Sequence, residues 1–213
     1  MTIRIGLIGA GIMGADHARI FATQIPGVQL QYICDADAVR AKRIADATGA
    51  THVSGDPYAV IADPSVDAIL IASPDHTHAA LSKACVEIGK PVLCEKPLSQ
   101  DSKECLNVIA AEVKHGKRLV QIGFMRRFDP SYVEMKQALT SGIIGPALMM
   151  HNFHRNVSAP ANFTGQMAIT NSAPHEFDIA RFVLDTEYDS ISVFRPEFRD
   201  ANKTGAPVFM VLK

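Results

Sequence analysis

The chain has 213 residues, 47% of them hydrophobic and 20% charged, with 14 Gly and 12 Pro; this is the composition of a globular protein of one to two domains and excludes a disordered, collagen-like or disulfide-stapled chain. Its 21 basic and 22 acidic residues give a net charge of -1, so the whole-chain electrostatic footprint of a nucleic-acid binder is missing. A small neutral or mildly charged ligand fits better.

Short apolar runs alternate with helical patterns up to residue 123. Ile3 to Ile8, Gln29 to Cys34, Ala68 to Ala72, Pro91 to Cys94 and Leu119 to Ile122 read as strands. The clearest helix between them runs from Asp101 to His115, with Cys105, Ile109 and Val113 on one stripe, Leu106 beside it and Gly116 as a stop. Near-continuous apolar strands alternating with helices predict an α/β domain over residues 1–123, a doubly wound parallel sheet covered on both faces. In residues 124–213 the texture changes. Asp129-Pro130 opens a helix with Tyr132, Met135 and Leu139 on one face and Gly142 at its close. Ala147 to Asn156 reads as a strand, Asn171 to Leu184 as a helix, and Ile191 to Phe194 and Val208 to Leu212 as strands. These elements predict an incomplete α/β domain with a partial, open sheet, as in an N-terminal fragment or a chain whose partner covers the exposed face.

The four cysteines, at 34, 85, 94 and 105, show no Cys-x-x-Cys spacing, and Cys34 and Cys94 sit in apolar runs. They read as buried thiols of a reducing compartment. No apolar stretch approaches a membrane span, and the segment from Met1 to Gly9 lacks the parts of a signal peptide. A cytoplasmic location with no membrane partner is expected.

Gly9-Ala10-Gly11-Ile12-Met13-Gly14 directly follows a predicted strand and opens a helical pattern. There the first glycine permits a tight turn, the second admits a pyrophosphate to the backbone, and the third lets helix and strand pack closely. Asp35 stands at the end of the second strand, 21 residues beyond Gly14, where a carboxylate accepts the adenosine ribose hydroxyls. Its neighbours Ala36 and Asp37, rather than an Arg, favour NAD over NADP. The plainer alternative is a glycine turn that only packs, with Asp35 as a helix cap.

Cys94-Glu95-Lys96-Pro97 closes the strand from Pro91, on the sheet edge where doubly wound folds bind ligands. Lys96, held extended by Pro97, can stabilise negative charge developing on a substrate oxygen, or it is a surface lysine paired with Glu95. His175 falls in the first turn of the helix from Asn171; such a residue serves as a base for a hydroxyl proton or simply starts a helix. His76 and His78 are two apart with no third ligand of suitable spacing, and a cofactor-edge loop is the better reading of Ser73, Pro74 and His76. His151 and His154 would point to opposite faces of a strand. No metal is assigned.

The glycine motif with Asp35, the Glu95-Lys96-Pro97 triplet, the run from Gly123 to Asp129 and the His175-Glu176-Phe177-Asp178 helix, in that order, resemble the Gfo/Idh/MocA oxidoreductases. The Met125-Arg126-Arg127 run and His154-Arg155-Asn156 most resemble the family's inositol 2-dehydrogenase subgroup. The resemblance implies a Rossmann domain (1–123) followed by the first part of a substrate-binding and oligomerisation domain (124–213), with the last third missing and a homotetramer as the full-length assembly. It implies NAD as cofactor, bordered by Gly9, Gly11, Ile12, Met13, Gly14, Asp35, Ser73, Pro74, His76 and Glu95. It places the catalytic lysine on Lys96, the catalytic histidine on His175, and polyol contacts on Met125, Arg126, His154, Asn156 and Ser172. The family pattern has an aspartate four residues before the histidine, where this chain has Asn171. The implied activity is oxidation of a cyclitol hydroxyl, myo-inositol to its 2-ketone. Another sugar or polyol dehydrogenase, or an impaired NAD-binding fragment, stands as the alternative.

Overall fold

The computed structural model of the chain describes residues 2–155, 158, 163–195 and 208–213, which fall into two units divided between Gly123 and Phe124. In the first unit six strands, β1 (Ile3–Ile8), β2 (Val28–Cys34), β3 (His52–Ser54), β4 (Ala68–Ile71), β5 (Val92–Cys94) and β6 (Val120–Ile122), form one sheet in the order β3-β2-β1-β4-β5-β6. Every neighbouring pair is parallel. The order reverses between β1 and β4, the switch point at which such sheets open a crevice at their carboxyl edge.

Side-chain alternation along β1 feeds two cores. Ile5 and Leu7 join Leu30, Ile33 and Leu70 under Ala18 of α1 (Ile12–Thr23) and Ala41 and Ala45 of α2 (Ala38–Thr48). Ile8 joins Cys34, Ile69, Ile71, Val92 and Cys94 under Val60 and Ile61 of α3 (Pro57–Ala62) and Leu81 and Cys85 of α4 (His78–Glu87). Small residues on α1 and α2 let those helices sit close on the sheet. Backbone bonds continue past the strand ends, from Gly9 N–H to Cys34 O at 2.7 Å, Ala72 N–H to Ile8 O at 2.8 Å and Gly123 N–H to Cys94 O at 2.7 Å, so the functional loops leave the sheet side by side.

Two sequence expectations change here. β3 was not anticipated; it is three residues long, lies at the sheet edge and exposes His52 and Val53, so it lacks an apolar run. In α5 (Ser102–His115) the expected stripe fails, because Leu106, Ile109 and Val113 are 62%, 51% and 76% exposed while Val108 is buried. The inward face instead carries Glu112, whose Oε1 accepts the N–H groups of Leu119 and Val120 at 2.6 and 2.8 Å. A carboxylate serving the start of an edge strand thus occupies the place expected for an apolar contact.

The second unit holds α6 (Pro130–Thr140), capped by Asp129 accepting from Ser131 N–H at 2.9 Å, then α7 (Gly165–Met167) and α8 (Pro174–Leu184). β7 (Ile191–Phe194) pairs antiparallel with β8 (Phe209–Leu212). Met135 is exposed, and α6 turns Lys136 toward α8, its Nζ 5.4 Å from the centre of the Phe182 ring. The strand expected from Ala147 does not form over residues 147–155, since among the described residues no strand lies beside it to complete a ladder. The helix expected from Asn171 begins at Pro174; Asn171 and Ser172 lie in a wide π-type turn before it, and neither caps it by a side chain. Among the described residues no helix is long and apolar enough to cross a membrane.

Candidate functional site

The backbone turns at the end of β1 through Gly9 at φ +94°, and a Cβ there would lie 2.5 Å from the carbonyl of Ala72 and from Ser73 N. The close approach brings the loop after β1 against the loop after β4. At Gly14 a Cβ would lie 1.8 Å from Gly9 O, so α1 rests directly on the strand it follows. Gly11, which starts α1, has open space where its Cβ would be. The unpaired N–H groups of that helix start therefore face an accessible space, a ready site for a phosphate. Ile12 and Met13 are exposed beside it.

Asp35 follows β2 with its side chain 10% exposed. Its Oδ2 accepts Ala10 N–H at 2.7 Å, and its Oδ1 accepts Asp37 N–H at 2.8 Å and Arg40 Nη2 at 3.0 Å. Burial acts to raise its pKa, but these donors outweigh it and hold the carboxyl below its ordinary value. Of about four lone-pair sites on a carboxylate, one on Oδ2 is left for a ligand hydroxyl. The cap of α2 is Asp37, not Asp35. Arg40 was missed in the sequence, since it reaches back from the first turn of α2; its spacing of five from a strand-end acid was the available signal. With Ala10, Gly11, Ile12, Arg19 and Arg43 it lines an open hollow of about 700 Å³.

After β4, Ser73 Oγ and Thr77 Oγ1 share a hydrogen bond of 2.6 Å around a short helical turn, Asp75–Thr77, that leaves Pro74 and His76 exposed. After β5, Glu95 and Lys96 are half-buried and the Lys96–Pro97 bond is cis. Glu95 Oε1 lies 2.8 Å from Nε2 of His17 on α1. Burial acts to raise the Glu95 pKa, whereas the His17 ring and the Lys96 N–H lower it, and the lowering wins. A Cβ on Gly123 would meet the same carboxylate at 3.2 Å. His17 gave no signal in the sequence, 78 residues from its partner.

In the second unit Met125 and Arg126 stand in the turn Met125–Phe128, Met125 exposed and Arg126 paired with Glu176 of α8. His154 Nδ1 lies 3.1 Å from both oxygens of the same Glu176. The structure thus gathers Arg126 and His154 on one carboxylate, that of Glu176, adjacent in sequence to His175. Asn171 Oδ1 accepts from Thr170 Oγ1 at 3.2 Å, and Ser172 is half-buried beside it in the turn before α8. Asn156 lies outside the described residues.

Residues 3–124 match the family model for the Gfo/Idh/MocA oxidoreductases, described as an NAD-binding Rossmann fold. Inositol 2-dehydrogenase 1 of Saccharopolyspora erythraea is 47% identical over 216 aligned positions, covering 100% of this chain and 64% of that protein. Inositol 2-dehydrogenase 4 of the same organism is 50% identical over 194, covering 91% and 57%. Among solved structures, myo-inositol dehydrogenase from Lactobacillus casei in complex with NAD(H) and myo-inositol matches with a TM-score of 0.93 at 28% identity, covering 100% of this chain and 64% of that one. The chain therefore spans a little under two thirds of the length of these relatives. The open helix start at Gly11, the close approach at Gly9 and the strand-end Asp35 suit the pyrophosphate and ribose of NAD. The chain belongs to the Gfo/Idh/MocA oxidoreductase family, and its first unit is that family's NAD-binding Rossmann fold.

Proposed function

We propose that the protein is an NAD-dependent cyclitol dehydrogenase that oxidises the 2-hydroxyl of myo-inositol to the ketone. The observation that carries this reading is the 47% identity, along the whole chain, to a protein named inositol 2-dehydrogenase. When bound, NAD supplies the hydride acceptor. The N–H groups at the start of α1 hold its pyrophosphate beside Gly9, Gly11, Ile12, Met13 and Gly14, and the remaining Oδ2 lone pair of Asp35 takes one ribose hydroxyl. Ser73, Pro74, His76 and Glu95 border the cofactor. Lys96 donates from its ammonium to the reacting hydroxyl oxygen and stabilises the charge that grows there. His175 accepts the hydroxyl proton, and Asn171 orients the imidazole through its amide oxygen. Met125, Arg126, His154, Asn156 and Ser172 contact the remaining hydroxyls, with Glu176 fixing Arg126 and His154. Residues 124–213 form the first part of a substrate-binding and oligomerisation domain. A cytoplasmic location and a homotetrameric full-length assembly accompany this reading.

The test is NADH formation by the purified chain with myo-inositol, scyllo-inositol and glucose, alongside NAD binding on the same sample. Turnover on inositol that Lys96→Ala abolishes while NAD still binds supports the reading. Turnover confined to glucose replaces the substrate. NAD binding with no turnover favours a binding fragment, a second reading that rests on the neutral Asn171 where the family pattern has an aspartate.

A further inference from the structure

The first residue of α4, His78, is 1% exposed, and the proposed chemistry gives it no part of its own. Its Nδ1 lies 2.7 Å from Pro97 O and its Nε2 lies 2.8 Å from Ser73 O. Both partners are backbone carbonyls, which only accept, so the ring is held between them with an N–H of the imidazole as the donor. One carbonyl belongs to the turn after β4 that borders the cofactor, the other to the cis-linked segment that carries Lys96. Both loops lack mutual ladder bonds at these residues, and the ring spans the gap between them inside the packed fold.

We propose that His78 is a positioning residue that clamps the Lys96–Pro97 segment to the Ser73 turn, fixing the lysine ammonium relative to the cofactor edge. The clamp rests on the roles given above to Lys96 and Ser73. Gly11 and Asp35, which hold the pyrophosphate and ribose, lie in other loops and make no contact with this ring among the described hydrogen bonds. Loss of the clamp therefore moves the lysine more than it weakens the cofactor.

The test compares the wild-type chain with His78→Phe, which keeps a ring and loses both ring nitrogens, and His78→Gln, which restores a donor. Amide exchange at residues 73–77 and 95–99 is expected to speed up by about tenfold in His78→Phe, with β1 and α1 unchanged, and to recover in part in His78→Gln. In turnover assays kcat falls about tenfold while the NAD dissociation constant stays within about threefold, and His78→Gln recovers part of kcat. The clamp is overturned by wild-type exchange at either segment, or by acceleration spread evenly over the whole unit. Should His78→Phe not fold, His78→Gln decides: wild-type exchange at both segments refutes the clamp, and faster exchange confined to them supports it. Absence of wild-type turnover defeats the dehydrogenase reading, and the exchange experiment still decides the clamp.

Discussion

Arg127 grips Asp178 through two parallel hydrogen bonds, Nε to Oδ2 and Nη2 to Oδ1, both at 2.7 Å. The carboxylate, on α8, is 6% exposed, and the guanidinium lies 5.5 Å from the centre of the Phe182 ring. Fork geometry gives such a pair its strength, and loss of the arginine leaves the buried carboxylate without its partner. Asp178→Asn should lower the stability of the second unit by about 2–3 kcal/mol, read from urea unfolding. Arg127→Lys should cost a similar amount, because an ammonium cannot serve both oxygens in this geometry; a loss near zero for both variants would show that the pair is incidental.

A pH dependence follows from Glu95. Its pKa is lowered in the fold, since the His17 ring and the Lys96 N–H outweigh burial. A carboxyl lower in the folded than in the unfolded state contributes stability that is complete above its unfolded value, about 4.3, and is lost as pH falls through its lower folded value. The melting temperature of Glu95→Gln should therefore lie below that of the wild type at pH 7, with the gap closing in acid below about pH 4. A gap that stays constant with pH would refute the assignment.

Asp35→Asn tests the adenosine end. The carboxylate organises Ala10 N–H, Asp37 N–H and Arg40 together, and an amide both drops the charge and turns a donor toward groups that already donate. NAD binding should weaken by about tenfold or more, measured by calorimetry. Unchanged affinity would remove Asp35 from the cofactor site.

Thiol chemistry should be quiet. Burial pushes Cys34 up to about 11 and Cys85 and Cys94 up to about 12, and the thiolate is the reactive form. At pH 8 the folded chain should release at most one fast equivalent with a disulfide reagent, from half-buried Cys105, and all four in denaturant. Fast reaction of two or more in the native state would contradict the burial.

Asn171→Asp addresses the departure from the family pattern. In the proposed mechanism an aspartate there would favour the imidazolium formed when His175 takes the hydroxyl proton, and replacement of the corresponding acid by asparagine in hydrolase triads is costly. Turnover should rise by about tenfold or more, with the NAD dissociation constant unaltered. No change would mean that the carboxylate is dispensable in this chain.

The sheet and the glycine loop were readable because their signals are local: apolar runs between residues 3 and 122, and three glycines next to a strand. What escaped reading depends on distant partners. β3 exists because Tyr32, Ile33 and Cys34 offer it a ladder, and α5 turns Glu112 inward because β6 needs an acceptor. The 147–156 run had the composition of a strand, but composition supplies no neighbour. Glu176 gained its place from Arg126 and His154, 50 and 22 residues away, separations at which no periodicity reports. Asp35 stands out in the sequence by its place at the end of a strand, whereas Arg40, which donates to its carboxylate, carries no such local mark.

At Gly14 the space for a side chain ends 1.8 Å from the carbonyl of Gly9. Even one methyl group would act as a wedge at the root of α1, prising it off β1 and swinging its leading amides away from wherever a phosphate rests. A substitution at this position is therefore expected to lower fold stability and, in the proposed cofactor site, phosphate affinity together. Repair of such a lesion would have to come from a backbone shift at Gly9, in the turn after β1, rather than from any compensating side chain.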